Sequence, residues 1–207
     1  METHLHNGLF RVYWTEDDEV ESFKDTGLGL RYEWYYKDGK KADGVSKGWW
    51  RNGKLKTTRT WKNGKENGLY TYWFESGQKR REIPYKNGKA NGLITEWFEN
   101  GQKKLEGTFK GGLANGLYTH WFPSGQKWSE KTLKNGKFVG LYTIWDEQNL
   151  HEKTYKVIPK STTNVGVLTS SGFTDKVDIL IKLISEKRWD KDGQKNFEKT
   201  YKNGKLE

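Results

Sequence analysis

The sequence predicts an all-β fold, an elongated single-layer solenoid of antiparallel β-hairpin repeats, and three sets of landmarks predict it. Trp49, Trp73, Trp97, Trp121 and Trp145 stand 24 residues apart, and Gly44, Gly68, Gly92, Gly116 and Gly140 keep the same step five residues upstream. Gly53, Gly77, Gly101 and Gly125 follow each Trp by four residues, with Asn149 in the fifth place. Gly64, Gly88, Gly112 and Gly136 form the third set. Landmarks in register at a period of this size mark a repeat architecture.

One unit reads N-G-L-Y-T-Y-W-F-E-S-G-Q-K-R-R-E-I-P-Y-K-N-G-K. L-Y-T-Y-W-F is an aromatic and β-branched run of strand length. E-S-G-Q, E-N-G-Q or P-S-G-Q supplies a turn with Gly where positive φ costs least. A second strand, such as Gln78 to Lys86, then meets Asn-Gly, the strongest short hairpin signal. A Gly or Asn-Gly every 9 to 13 residues disfavours helix, at about 1 kcal/mol for each interior Gly.

Four segments follow from the spacing. Residues 1–43 hold degenerate hairpins, with Leu9 to Tyr13 after Asn7-Gly8 and Leu30 to Trp34 after Gly29. The regular repeats occupy 44–149, an insertion 150–184, and a partial repeat 185–207 that keeps Trp189, Gly193 and Gly204 in template spacing. Within the insertion, Val177, Leu180, Ile181 and Ile184 fit a helix face, while Val177, Ile179, Ile181 and Leu183 fit a strand. Thr174 and Asp175 look like an N-cap and an early acid, which favours one short helix near the C-terminus. Either form would cover an open sheet edge.

Composition agrees with a thin structure. Only 32% of residues are hydrophobic while 15% are aromatic, so burial must come from large rings rather than a thick aliphatic core. Cysteine is absent, which excludes disulfides and thiolate chemistry. The opening METHLHNGLF lacks the basic start and apolar run of a signal peptide, and no apolar stretch approaches bilayer length. The expectation is a soluble, cytoplasmic protein.

Alternation sorts the faces. Leu69, Thr71 and Trp73 share one side, repeated as Leu93, Thr95, Trp97, then Leu117, Thr119, Trp121, then Leu141, Thr143, Trp145. Identical stacked units need identical packing, so this side, with Trp49, is expected to be the structural core. Tyr72, Glu96, His120 and Ile144 vary from unit to unit and form a row expected to face solvent or a partner.

No catalytic or metal site emerges, and no cofactor is implied. His4 and His6 share one side of an extended segment and fit ordinary polar residues better than a metal pair. His120 lies in the variable row, and His151 completes the set of histidines. Glu82, Glu106, Glu130 and Glu198 form a ladder. Equal steps create equal environments, whereas general acid–base work needs two differentiated carboxylates. Pairing with Lys or Arg on adjacent strands is the simpler reading. Phosphate-loop spacing and acyl-transfer triads are missing.

The net charge of +10 is concentrated at turns. Lys62, Lys65, Lys86, Lys89, Lys134 and Lys137 surround the Asn-Gly pairs. Lys79, Arg80, Arg81, Lys103, Lys104 and Lys127, joined by Trp128, follow the other turn. Such rows guard exposed sheet edges, and they also suit an acidic protein, a nucleic acid or an anionic membrane surface.

Tyr85 to Leu93 (Y-K-N-G-K-A-N-G-L) with Trp97 to Lys103 (W-F-E-N-G-Q-K) resembles the MORN-repeat variant of bacterial YwqK-type antitoxins. Lys62 to Leu69 with Trp73 to Lys79, and Asn115 to Leu117 with Trp121 to Lys127, carry the same resemblance. It covers 44–149 strongly and the flanks weakly. It implies a single-layered, twisted sheet of hairpins with protein-interaction or scaffolding roles, lipid-headgroup binding in some members, and an inhibited protein partner. The functional expectation is a non-catalytic binding protein that presents a repeat surface to another protein. Nucleic-acid or anionic-lipid binding through the Lys/Arg rows and self-association into a structural assembly are the alternatives.

Overall fold

A computed structural model describes residues 8–15, 29–38, 40–148, 150–159, 167–169, 172–174, 179–202 and 205–206. The readings of His4, His6, Asn7, Asn149, Asp175, Val177 and Gly204 lie outside them. Every regular element among the described residues is a strand, and all pairings are antiparallel. The chain divides into two compact units, Met1–Asn91 and Gly92–Glu207.

The first unit comprises β1 (Gly8–Tyr13), β2 (Leu30–Lys37), β3 (Lys40–Lys41), β4 (Gly44–Trp49), β5 (Leu55–Lys62), β6 (Lys65–Trp73), β7 (Lys79–Lys86) and β8 (Lys89–Ala90). Strands β1, β2, β4, β5, β6 and β7 pair in that order, with β3 against β2 and β8 against β7. The second unit comprises β9 (Gly92–Trp97), β10 (Lys103–Lys110), β11 (Leu113–Trp121), β12 (Lys127–Lys134), β13 (Lys137–Trp145), β14 (His151–Pro159), β15 (Val167–Thr169), β16 (Gly172–Thr174), β17 (Ile179–Trp189), β18 (Lys195–Lys202) and β19 (Lys205–Leu206). Its sheet runs β9 to β14, then β17, β18 and β19, and β15 and β16 pair separately.

The two turns of each repeat have distinct chemistry. Asn63 and Gly64 have φ of 51° and 71°, and Asn135 and Gly136 have 50° and 75°. Two successive left-handed residues are what a tight two-residue hairpin turn requires. The turn after each Trp is wider: Phe74 N–H donates to Gln78 O at 2.8 Å and Gly77 N–H to Phe74 O at 2.9 Å. Neighbouring turns also lock together. Asn52 Nδ2 donates to Glu75 O, and Asn100 Nδ2 to Pro123 O, one repeat onward in each case.

A bulge recurs where the second strand begins. Trp97 pairs with Lys103 and Glu96 with Leu105, which leaves Lys104 out of the ladder. Lys56, Arg80, Trp128 and Asn196 are skipped in the same way.

The structure corrects the expected core at its leucines, while Thr71, Thr95 and Thr119 of that side are buried. Leu69, Leu93, Leu117 and Leu141, expected as core, are 44–53% exposed. The most buried side chains lie on the other side of the strands, on these and on their hairpin partners: Ile83, Ile94, Phe109, Tyr118 and Leu133 are all at most 2% exposed. Leu93 and Leu117 have short Thr neighbours across the strands, Thr108 and Thr132, and Leu69 faces Pro84. On the opposite side, large rings shield one another. Tyr118 lies over Gly107, where an added Cβ would sit 2.5 Å from its ring, and it meets Phe109 edge-on at 5.8 Å. The repeated Trp residues are half-buried, and beside them Thr71, Thr95 and Thr119 are buried.

The short helix near the C-terminus is also corrected. Residues 179–189 form β17, which pairs with β14 from Pro159↔Ile179 to His151↔Arg188. Trp189 stands 44 residues after Trp145 rather than 24, yet it still ends a first strand of the repeat. Both β14 and the start of β17 fall inside the segment 150–184, and they pair with residues 160–178 between them in the sequence. The ladder satisfies the backbone along β17, so the period-two pattern prevails over the helical one.

Substitutions separate the two faces. Tyr118→Ala is expected to cost about 3–5 kcal/mol and Gly107→Ala about 1–3 kcal/mol by overpacking the ring. Leu117→Ala should cost under about 1 kcal/mol, as exposed positions do. Urea midpoints rank the three, and a Leu117 variant as unstable as the Tyr118 variant would reject the buried-face assignment.

Candidate binding face

The Trp face is a repeating structural ladder. Lys79, Lys103 and Lys127 bond Glu82, Glu106 and Glu130 at 2.7, 2.5 and 2.7 Å, and Lys195 bonds Glu198. The expected partners were on adjacent strands, whereas these pairs lie within one strand. Residues i and i+3 normally face opposite ways, and the bulge restores them to one side. Lys103 also caps the Trp121 ring at 5.7 Å and Lys127 the Trp145 ring at 5.6 Å. Trp145 Nε1 donates to Glu152, which Lys187 also contacts at 3.2 Å.

The opposite face carries the diverse chemistry. Tyr72, Glu96, His120 and Ile144 project there, half-buried. The bulged residues join them. Arg80 lies over Tyr72 at 5.2 Å and Phe74 at 5.5 Å, Lys104 over Phe98 at 5.8 Å, and Trp128 packs on Phe122 at 6.3 Å. Arg81 stands opposite Tyr72. The row that follows the turn in sequence is thus split, with Lys79, Lys103 and Lys127 on the ladder and Arg80, Arg81, Lys104 and Trp128 on the diverse face.

In the first unit this face forms an open groove of about 440 Å³. Tyr32, Trp34 and Tyr36 from β2 line one side, and Tyr70 and Tyr72 from β6 the other. Cations sit on the rings: Lys41 over Trp61 at 4.2 Å, Lys56 over Trp50 at 4.4 Å and Arg59 over Tyr70 at 4.5 Å. Burial pushes the Lys41 ammonium down from its ordinary range, and repulsion from Arg59 adds to the shift. Sequence reasoning missed this groove. The available signal was Ser46 and Gly48, small residues at places where later repeats carry Tyr70 and Tyr72 or Tyr118 and His120.

The second unit differs. A cavity of about 420 Å³ there is lined by Ile144, Trp145, Asp146, His151, Lys153, Glu186 and Arg188. Glu186 accepts from Arg188 at 2.9 Å, and that bond holds its carboxyl below the usual range, helped by Lys153 at 3.8 Å. His151 meets Asp146 at 2.9 Å. His120 lies between Leu105 and Ser129 on the flanking strands, with Trp128 edge-on at 5.5 Å. Burial lowers its pKa to about 4, with Lys131 and Lys104 adding to the effect. Such an imidazole stays neutral near pH 7 and acts as a packed polar ring. Among the described residues, no three His, Asp or Glu side chains gather as metal ligands would.

His120 carries a pH signature. Between pH 6.5 and about 4 the unfolded chain takes up a proton that the folded chain does not, so stability falls as pH drops through that window. The expected loss is roughly 1–3 kcal/mol. Urea midpoints at neutral and acidic pH, compared with those of His120→Phe, isolate it. An equal acid loss in the variant would exclude His120 as its source.

No curated protein matches this chain at a significant level. Residues 42–63, 66–87, 90–110 and 114–135 match the family model of the MORN repeat variant. Those segments fall on β4 with β5, β6 with β7, β9 with β10, and β11 with β12, so four successive hairpins of the array are similar to MORN repeats of that variant type.

Proposed function

We propose that the chain is a non-catalytic binding scaffold that presents its diverse, aromatic and basic face to a protein partner in the cytoplasm. Repeats of this type commonly mediate binding and are generally non-enzymatic. One observation carries the reading. The Trp–Lys–Glu ladder recurs almost unchanged on one face, while the other changes from tyrosine to carboxylate to imidazole to isoleucine at Tyr72, Glu96, His120 and Ile144. A repeat used only for its own stacking has no need of that variation, whereas recognition of one particular partner does. Occlusion of the partner by such a surface is the antitoxin-like form of this function.

Photo-crosslinking residues placed at Tyr72, Glu96 and Ile144 test it against residues placed at Leu117 and Thr132 on the ladder face. Crosslinks to one discrete protein are expected from the first set and none from the second. Crosslinks only from the ladder face, only to nucleic acid or lipid, or only between copies of the chain would overturn the proposal.

A further inference from the structure

The groove in the first unit is made by omission. Along the diverse face, β4 offers only Ser46 and Gly48, and Thr57 of β5 stands between Gly48 and Tyr72. In the corresponding places β6 has Tyr70 and Tyr72, β9 has Ile94 and Glu96, and β11 has Tyr118 and His120. Short side chains therefore floor a trough between aromatic walls on β2 and β6. Three strand steps separate those walls, about 14 Å at the usual strand spacing. Tyr32 leans across Gly48, 3.0 Å from the place of its absent Cβ, so the opening is narrower than the backbone spacing and suits an extended polypeptide, the kind of ligand that aromatic-lined grooves accept.

Charge selects among extended polymers. Lys41, Lys56 and Arg59 line the trough, and each rests on an aromatic ring face, within 4.2 to 4.5 Å of the ring centre. Bases bind single-strand sites by stacking on open ring faces. Of the rings that line the trough, Tyr70 carries Arg59, Tyr72 carries Arg80 at 5.2 Å, Tyr32 carries Arg31 at 5.6 Å and Trp34 carries Lys41 at 5.8 Å, so what they offer outward is positive charge. Arg59 also bonds Glu66 at 3.3 Å, which fixes its guanidinium in place. Burial and repulsion from Arg59 lower the Lys41 pKa against the pull of Glu66, and a carboxylate seated beside Lys41 would offset that repulsion.

We infer that the groove between β2 and β6 is the docking site for an extended acidic segment of the partner protein. Its carboxylates would pair with Lys41, Lys56 and Arg59, and its apolar atoms would lie against Tyr32 and Tyr72. This inference rests on the scaffold reading above and adds the place and the chemistry of recognition.

Fluorescence anisotropy of the full chain with a labelled, amidated peptide of alternating Glu and Pro tests it. Binding is expected that weakens with added salt, with the matching Gln and Pro peptide bound at least roughly tenfold more weakly, the worth of one charge-assisted hydrogen bond. Lys56→Gln with Arg59→Gln should also lower affinity by at least roughly tenfold. Thr57→Trp, which fills the trough, should abolish binding. Lys110→Gln with Lys134→Gln, both exposed in the other unit, should leave it within about twofold, as distant charges do when screened. Thermal unfolding checks each variant, and Thr57→Trp decides alone if the Arg59 variant does not fold. No binding of the acidic peptide, equal weakening by both charge pairs, or preferential binding of a short oligothymidylate lost in the same variants would overturn the inference. If crosslinks from Tyr72 and Glu96 to a partner persist in the Thr57→Trp chain, the groove is rejected while the scaffold reading stands.

Discussion

In a strand of strict period two, Lys103 and Glu106 would stand on opposite faces of the sheet. The bulge at Lys104 brings them together on the Trp face and at the same time turns Lys104 itself toward the other. The same extra residue recurs at Lys56, Arg80 and Trp128. Both faces depend on it. Without the bulge, the cations that cap Trp121 and Trp145 and the side chains that rest on Phe74, Phe98 and Phe122 would exchange sides. The ladder would lose its lysines and the diverse face its outer rim.

Each contact in the ladder is individually small. An exposed Lys–Glu pair contributes about 0–1 kcal/mol and an exposed cation–π contact about 0.5–1 kcal/mol. Repetition gives them weight, because in a repeat array each interface supports its neighbours and the terms accumulate along the chain. Shielding of rings by rings on the other side supplies the apolar burial that scarce aliphatics cannot. Tyr118 shows the cost of that solution. Its full burial requires a missing side chain at Gly107, so one repeat must depart from the template for the next to pack.

The hairpins were legible in the sequence because their turns demand particular residues. Asn63-Gly64 and Asn135-Gly136 adopt left-handed backbone that other residues resist, so the period of glycines maps directly onto the ladder of strands. The buried side was not legible. Alternation separates Leu117 from Tyr118, but it does not say which side neighbouring strands cover, and aliphatic character pointed to the leucines. Burial here is decided by side-chain height across adjacent strands, where Thr132 leaves Leu117 open and Phe109 closes over Tyr118. A sharper reading was available from Lys79-x-x-Glu82, Lys103-x-x-Glu106 and Lys127-x-x-Glu130. Such spacing, repeated three times in strands, implies an extra residue. The helix expected near the C-terminus failed for a related reason, since Ile179, Ile181 and Leu183 serve a strand whose partner lies beyond residues 160–178, a separation that local signals do not span.

A glycine opposite a tyrosine occurs in both units with different outcomes. Gly107 faces Tyr118, and Gly48 faces Tyr32, with the place of an absent Cβ only 3.0 Å from the Tyr32 ring. In the second unit Phe109 and Lys131 stand beside the ring and seal it. In the first unit the residues nearby are Ser46 and Thr57, too short to do so, and Tyr32 becomes the wall of a trough. Both are antiparallel cross-strand pairs of glycine with tyrosine, and the height of the adjacent side chains differs between them. A repeat array of this kind can therefore acquire a recognition site without altering its scaffold, by shortening two or three side chains on the face that does not carry the ladder.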